Sequence, residues 1–245
     1  MTQHTQYFER TELLIGTQAL ERLGRLRIAV FGVGGVGSWC AEALARSGVG
    51  HITLVDSDTV APSNINRQLI ATTHTIGKAK VDVAAERLRS INPDIDVRPI
   101  HGIYTAETAC QYDFNQYDWV VDAIDSLADK ALLIRNVTAS SAQLVSSMGA
   151  ACKTDLTQIR IAEFWKVDGD PLARALRQRF RRSKTFPARK FLCAYSPQRV
   201  PNVRDTQAED TVNGIKRPNG TVVFATAAFG LALAGVIVNT VAAEG

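Results

Sequence analysis

The 245-residue chain has only four cysteines, Cys40, Cys110, Cys152 and Cys193, widely spaced and without a C-x-x-C pair. That disfavours a zinc site or a disulfide framework and suits a reducing, cytoplasmic compartment. The four histidines (His4, His51, His74, His101) have no ligand spacing, which argues against a histidine metal site. Neither sign of charge dominates: 28 Lys and Arg oppose 24 Asp and Glu. The global balance therefore says little about partners. Internal repeats and low-complexity tracts are lacking, and the first ten residues are polar, without the apolar core of a signal peptide. Residues 221–243 carry no charge and are long enough to cross a bilayer. They contain Thr221, Thr226, Asn239 and Thr240 and lack anchoring residues beyond them. This predicts a buried strand followed by a buried helix, without stable membrane insertion. Gly230 and Gly235 suit close helix contacts there, including a dimer interface.

With 46% hydrophobic residues, the length suits one core or one core with a small appendage. The pattern alternates between helix and strand. Residues 12–23 read as an amphipathic helix closed by Gly24. The apolar run at residues 27–31 is a strand, residues 39–46 resume helical spacing, and residues 51–56 form a second strand ending in Asp56. A helix over 78–91 stops at Asn92-Pro93. Strands follow at 96–100, 119–123 and 143–147, with a helix over 132–142. Residues 168–182 read as a basic helix, and residues 183–220, with Pro187, Pro197, Pro201 and Pro218, as a loop-rich excursion. The expectation is an α/β fold, a Rossmann-like, doubly wound, mostly parallel sheet with helices on both faces. Residues 1–150 would form its nucleotide-binding core. Residues 151–245 would form a substrate and dimer-interface part, with a flexible loop over 183–220.

The turn after the first strand is Gly32-Val33-Gly34-Gly35-Val36-Gly37. Glycines there permit a tight turn and bring backbone N–H groups close to a phosphate, and the following helix adds partial positive charge. Asp56 at the end of the next strand can accept ribose hydroxyls. These features signal an adenosine nucleotide without separating NAD from ATP. The separation comes from Asp58 and Ser63-Asn64-Ile65-Asn66-Arg67-Gln68, then Lys78 and Lys80. Hydride transfer needs no such cations, whereas breaking a phosphoanhydride builds charge that Arg67 and Lys80 would stabilise. Asn66 and Gln68 would orient oxygens. Asp125, just past the strand at 119–123, is placed to hold Mg2+ through water.

These residues, in order and with this spacing over about residues 7–150, resemble the ubiquitin-activating-enzyme superfamily. That superfamily includes the bacterial adenylyltransferases of thiamine and molybdopterin biosynthesis. The carriers of the resemblance are the glycine turn, Asp56 and Asp58, Asn64 to Gln68, Lys80 and the run Asp122-Ala123-Ile124-Asp125-Ser126. The resemblance implies activation of a carboxylate by ATP and a homodimer in which Arg10, of Tyr7-Phe8-Glu9-Arg10, reaches the partner's ATP site. It also implies Asp56 on the ribose, Arg67 and Lys80 on the phosphates, and Asp125 on the metal.

The C-terminal half resembles a tRNA-modifying branch, the threonylcarbamoyladenosine dehydratases. The cues are Thr157-Gln158-Ile159, Asp170-Pro171-Leu172, Cys193 followed by Ser196, and Ala225-Thr226-Ala227-Ala228-Phe229-Gly230. The basic run between residues 174 and 190 (Arg174, Arg177, Arg179, Arg181, Arg182, Lys184, Arg189, Lys190) contains no acid. It suits phosphate contacts to tRNA, with Arg174, Arg177 and Arg181 on one helical face and Arg182 and Lys184 beside them. The branch's C-terminal cysteine segment is here Lys216-Arg217-Pro218-Asn219-Gly220, without a cysteine. Cys193 is the remaining candidate for a reactive thiol, with Arg189 and Lys190 favouring its thiolate; it would imply a sulfur-transfer partner protein. The alternative is an adenylyltransferase for a ubiquitin-like sulfur carrier, against which the missing C-x-x-C pairs and the basic run both argue.

Overall fold

The computed structural model describes residues 3–203, 211–212, 215–216 and 219–244. Strands β1 (Arg27–Phe31), β2 (His51–Asp56), β3 (Asp96–His101), β4 (Trp119–Asp122), β5 (Gln143–Ser147), β6 (Arg160–Glu163) and β7 (Leu192–Tyr195) form one sheet in the order β3-β2-β1-β4-β5-β7-β6. All neighbours run parallel except β6, which lies antiparallel to β7 at the edge. The order reverses between β1 and β4. In open α/β sheets the crevice at the carboxyl ends of such a pair is where ligands bind. Two further segments, Thr211–Val212 and Ile215–Lys216, pair with each other.

The strand sequences explain the layering. In β1, Ile28 and Val30 pack on one face and Ala29 and Phe31 on the other. The first face is covered by α2 (Thr17–Arg25), α3 (Gly37–Arg46), α4 (Lys80–Ile91) and α7 (Val223–Ala243), and the second by α5 (Leu127–Ala139) and α6 (Pro171–Ser183). Strands buried on both faces read as continuous apolar runs, which is why β1, β2 and β4 were recognisable.

Five expectations change. The single helix over 12–23 is two, α1 (Glu9–Ile15) and α2, broken at Gly16, whose φ of 84° ends the first and opens the second. No residue of α1 is buried, and Leu13 and Leu14 are 81% and 85% exposed. The helix expected over 132–142 starts five residues earlier, at Leu127. Its first turn contains Lys130, which looks like a surface residue but is fully buried against Asp122. The 183–220 excursion contains β7, central to the second half of the sheet, and β6 was also missed. Residues 204–210, 213–214 and 217–218 of that excursion lie outside the described residues. The strand expected at the start of residues 221–243 is absent, and α7 is one 21-residue helix preceded by extended Val222. It is long and apolar enough to cross a membrane, yet Phe229, Leu233, Ile237 and Val241 are buried in the core. A Cβ on Gly230 would lie 2.4 Å from the Val36 carbonyl oxygen and 2.9 Å from Trp39 Cβ. That glycine therefore lets α7 press onto α3 within the chain, whereas Gly235 faces open space.

Candidate active site

The glycine turn lies at the reversal point, and its glycines serve different ends. Gly32 has φ +87°, and a Cβ there would sit 2.6 Å from the Ala123 carbonyl oxygen beyond β4. A Cβ on Gly37 would sit 1.8 Å from the Gly32 carbonyl oxygen. These two close the turn against its neighbours. Gly35 faces Arg67 Cγ and the Thr226 side chain, so the start of α7 flanks the turn. Gly34 meets only the Gln68 amide, 3.7 Å away. The N-terminus of α3 adds its partial positive charge beside this open position.

Asp56 closes one side. Its Oδ2 accepts the Val33 N–H at 2.7 Å and its Oδ1 the Asp58 N–H at 2.8 Å. The β2 acid is thereby fixed to the turn with lone pairs to spare. Lys80, the first residue of α4, is buried; its Nζ lies 2.6 Å from Asp58 Oδ2 and 4.0 Å from Asp56 Oδ1. An isolated bridge between Thr59 and Ala79 holds these two segments together.

The other wall is the 64–69 turn. Arg67 Nη1 donates to the Ser63 carbonyl (2.8 Å) and to Asn66 Oδ1 (3.0 Å), while Asn66 Nδ2 donates to the Thr221 carbonyl (3.1 Å). Trp39 Nε1 donates to the Arg67 carbonyl. Ser38 Oγ donates to the Gly34 carbonyl and accepts the Leu69 N–H. The turn is therefore pinned both to the glycine turn and to the segment leading into α7. Gln68 is 6% exposed, yet among the described residues its Oε1 has no hydrogen-bond partner, nor has the buried Thr221 Oγ1. Unpaired buried polar atoms beside an open glycine are suited to a polar ligand.

Asp125 lies three residues beyond β4, exposed and without an ion pair among the described residues. Mg2+ is usually held by one or two carboxylates together with substrate phosphates. A lone free carboxylate at this edge fits that mode, and the described residues contain no group of three His, Cys, Asp or Glu side chains able to hold a metal by themselves.

Arg10 is exposed, in α1 just after Phe8. Phe8 lies against Gly48, between α3 and β2, at the amino edge of the sheet. The length of β1, about 16 Å, separates that edge from the glycine turn.

The basic run is only partly at this site. Asp170 caps α6 by accepting the Ala173 N–H (2.8 Å), and it also accepts the Gly149 N–H beyond β5 (3.2 Å). The helix thus starts at the carboxyl edge and leads away from it. Arg174 is near that start; Arg181, Arg182 and Lys184 are at the far end, all exposed. Arg177 is half-buried. Its Nη1 donates to the carbonyls of Phe164 and Val167, and its guanidinium lies 5.9 Å from the Phe164 ring centroid.

Cys193 departs furthest from expectation. It is a β7 residue, fully buried, and burial pushes its thiol well above the ordinary value. Lys130 opposes that effect only in part. Arg189, expected to favour the thiolate, instead donates to the carbonyls of Val137, Thr138, Ser140 and Ala142 around the end of α5. A buried, protonated thiol is inert.

Sequence reasoning missed Ser38, Lys130, Lys153, Asp170 as a buried carboxylate, and Thr221. Lys153 is buried; burial lowers its pKa while Asp170 opposes the shift, and its Nζ donates to the Gln198 carbonyl. Burial likewise raises Asp170 against the pull of the Ala173 N–H and Lys153. The Cys152 N–H donates to the Gly220 carbonyl, next to Thr221, so this pair flanks the start of α7. Only the lysine and aspartate letters were visible beforehand; their burial is tertiary.

A glycine turn at the switch point, with Asp56 at the end of the next strand and Arg67 and Lys80 beside it, is the arrangement of a nucleotide-dependent activating enzyme. The sequence matches the ThiF family over residues 8–243, and the chain belongs to that family. It is similar to the tRNA threonylcarbamoyladenosine dehydratase of Bacillus subtilis, 46% identical over 175 residues that cover 71% of this chain and 69% of that protein. Its fold is similar to that of the Escherichia coli tRNA N6-threonylcarbamoyladenosine dehydratase solved in complex with ATP. The TM-score is 0.86 at 35% identity, over 98% of this chain and 95% of that one. The same enzyme solved with AMP also gives 0.86.

Proposed function

We propose that the chain is an ATP-dependent tRNA threonylcarbamoyladenosine dehydratase that works as a cytoplasmic homodimer. The observation that carries the reading is the meeting of an open Gly34 with Arg67, Gln68 and the Lys80–Asp58 pair at the β1–β4 crevice. Similarity to dehydratases over most of the chain supports the substrate class.

Asp56 receives the ribose hydroxyls through the lone pairs left free by Val33 and Asp58. The α- and β-phosphates lie over Gly34 and the start of α3. Arg67, held by Ser63 and Asn66, keeps guanidinium N–H groups for the phosphate oxygens, and Lys80 neutralises the departing pyrophosphate. Mg2+, held through Asp125 and the phosphates, supplies further charge neutralisation when bound.

The threonyl carboxylate attacks the α-phosphorus, forming the mixed anhydride and releasing pyrophosphate. A nucleophilic atom of the neighbouring carbamoyl group then attacks the acyl carbon, losing its proton as AMP leaves. The nucleoside has lost one water. The AMP complex of the E. coli enzyme is in keeping with this route. On this reading, residues 1–150 are chiefly the nucleotide part and residues 151–245 the substrate and dimer part.

Arg10 acts in trans. It lies in α1, whose residues are all exposed or half-buried, two residues after Phe8, which packs at the amino edge of the sheet, away from its own glycine turn. The buried thiol of Cys193 gives no support to a sulfur-transfer partner. The test is incubation with ATP, Mg2+ and tRNA bearing N6-threonylcarbamoyladenosine, followed by mild digestion and mass spectrometry. Loss of one water from that nucleoside, dependent on ATP, is expected; an unchanged nucleoside under conditions where ATP binds would overturn the assignment.

A further inference from the structure

α6 joins two poles of the molecule. Its first residues contact Gly149 at the carboxyl edge. At its other end Phe180 packs on Phe164, ring centroids 5.9 Å apart, and Phe164 follows β6. Because β6 runs antiparallel, with Glu163 opposite Leu192 at the start of β7, that end is the amino edge. Thirteen residues of helix span about 20 Å.

The exposed side of this helix is basic from end to end. Arg174, Arg181 and Arg182 fall at i, i+7 and i+8, Arg179 and Lys184 lie beside them, and all are exposed. None makes an ion pair among the described residues, whereas Arg25, Arg46 and Arg87 each face a glutamate on or next to their own helix; what sets α6 apart is that its unpaired cations are gathered along one side of one helix. Favourable placement at the C-terminus of the helix would account for Arg181, Arg182 and Lys184. It cannot account for Arg174, one turn from the positive N-terminus, where the helix dipole disfavours a cation.

Two exposed rings stand at the far end. Trp165 is 39% exposed and Phe186 53%, with centroids 6.2 Å apart. Trp165 is held from beneath by an edge contact to Phe164 at 5.1 Å, and Phe164 is itself stacked on Phe191 at 5.0 Å. Lys166, next to Trp165, is exposed too. Supported aromatic faces set among unpaired cations are how proteins take hold of unpaired bases and their phosphates.

We propose that this face is a second RNA-binding surface. Phosphates flanking the reacting nucleoside lie along α6 from Arg174 to Lys184, and an unpaired base rests against Trp165 and Phe186. The proposal builds on the tRNA reading above and assigns the RNA a hold remote from the chemistry. The excess of unpaired positive charge selects a polyanion over a protein or lipid-tail partner.

The test uses full-length protein and labelled tRNA in anisotropy titrations at several salt concentrations, with circular dichroism to confirm folding. One variant carries Arg181→Ala, Arg182→Ala and Lys184→Ala; the other carries Trp165→Ala and Phe186→Ala. The first should weaken binding and flatten the plot of log affinity against log salt by roughly 0.7–0.9 per lost phosphate contact. The second should weaken binding about ten-fold with the slope unchanged. In turnover assays both should raise KM for tRNA and leave kcat unchanged. Parental tRNA affinity in either folded variant overturns the proposal. If the double aromatic variant does not fold, Phe186→Ala alone takes its place, since that ring is more than half exposed. Loss of affinity in both variants with no water lost from any nucleoside by the parent would keep the surface and reject the dehydratase. Dehydration by the parent with unweakened variants would do the reverse.

Discussion

Lys130 Nζ lies 2.9 Å from Asp122 Oδ1, with neither side chain exposed to solvent. The same ammonium donates to the Ile124 carbonyl (2.9 Å), and Ser146 Oγ donates to the other carboxylate oxygen (2.7 Å). The network ties α5, β4 and β5 together and anchors the loop that carries Asp125. Within Asp122-Ala123-Ile124-Asp125, the first acid is structural and the second is free for chemistry.

Removing one partner should therefore be costly. Lys130→Met leaves a buried carboxylate unpaired and should destabilise the protein by about 3–5 kcal/mol. Asp122→Leu combined with Lys130→Met should cost less than Lys130→Met alone, since no buried charge remains. Urea unfolding midpoints with unchanged m-values provide the measurement.

The glycines should separate by role. Gly32→Ala, with φ +87° and a carbonyl oxygen at 2.6 Å from the new Cβ, should lose roughly 1–3 kcal/mol of stability. Gly34→Ala meets nothing closer than 3.7 Å. It should keep the parental Tm and weaken ATP roughly ten-fold, because a methyl group stands where phosphate must approach. Calorimetry reads both quantities.

Among the described residues Asp125 has no ion-pair or hydrogen-bond partner to lose. Asp125→Asn should leave stability within about 0.5 kcal/mol of the parent and lower turnover by about two orders of magnitude. Retained turnover, or an unaltered Mg2+ requirement, would remove it from the metal site.

Arg10→Ala and Arg67→Ala should each abolish activity alone. If Arg10 acts across a two-fold axis, random mixing gives half heterodimers with one intact site each, restoring about a quarter of parental activity. Confirmed heterodimers with no activity would place Arg10 outside the partner's site.

The thiols should differ in reactivity. Burial pushes Cys40 up to about 12 and Cys193 well above its ordinary value, while Cys110 is exposed. At neutral pH an alkylating reagent should label Cys110 and spare Cys40 and Cys193 until the chain unfolds. Because both buried thiols are raised in the folded state, their contribution to stability is complete below the unfolded value near 9.0 and is lost as pH rises toward 12. Cys40→Ala should therefore flatten the alkaline fall in stability.

Much of the first half was legible because local chemistry dictates it. Strands buried on both faces must be apolar, the turn into α3 must be glycine, and Asp56 ends the strand beside it. Arg67 and Lys80 stood out as cations in a segment where a hydride-transfer enzyme would need none. The second half was opaque for a matching reason. β7 is four residues among prolines, and only pairing with β5 and β6 makes it a strand. Lys153 looks like a surface lysine until Asp170 is brought beside it, just as Lys130 in the first half does until it meets Asp122.

The sequence by itself determined the class of fold and the glycine turn at its switch point, and it put Asp56, Arg67 and Lys80 forward as candidates beside that turn, since each rests on residues close together along the chain. Tertiary structure decided which residues are spent on holding the site rather than acting in it. It buried Cys193, engaged Arg177 and Arg189 with carbonyl oxygens, and left Arg174, Arg181 and Arg182 without an ion pair among the described residues along a helix that leads from the carboxyl edge of the sheet to its amino edge. Burial and partnership depend on contacts between residues tens of positions apart, and no local pattern encodes them.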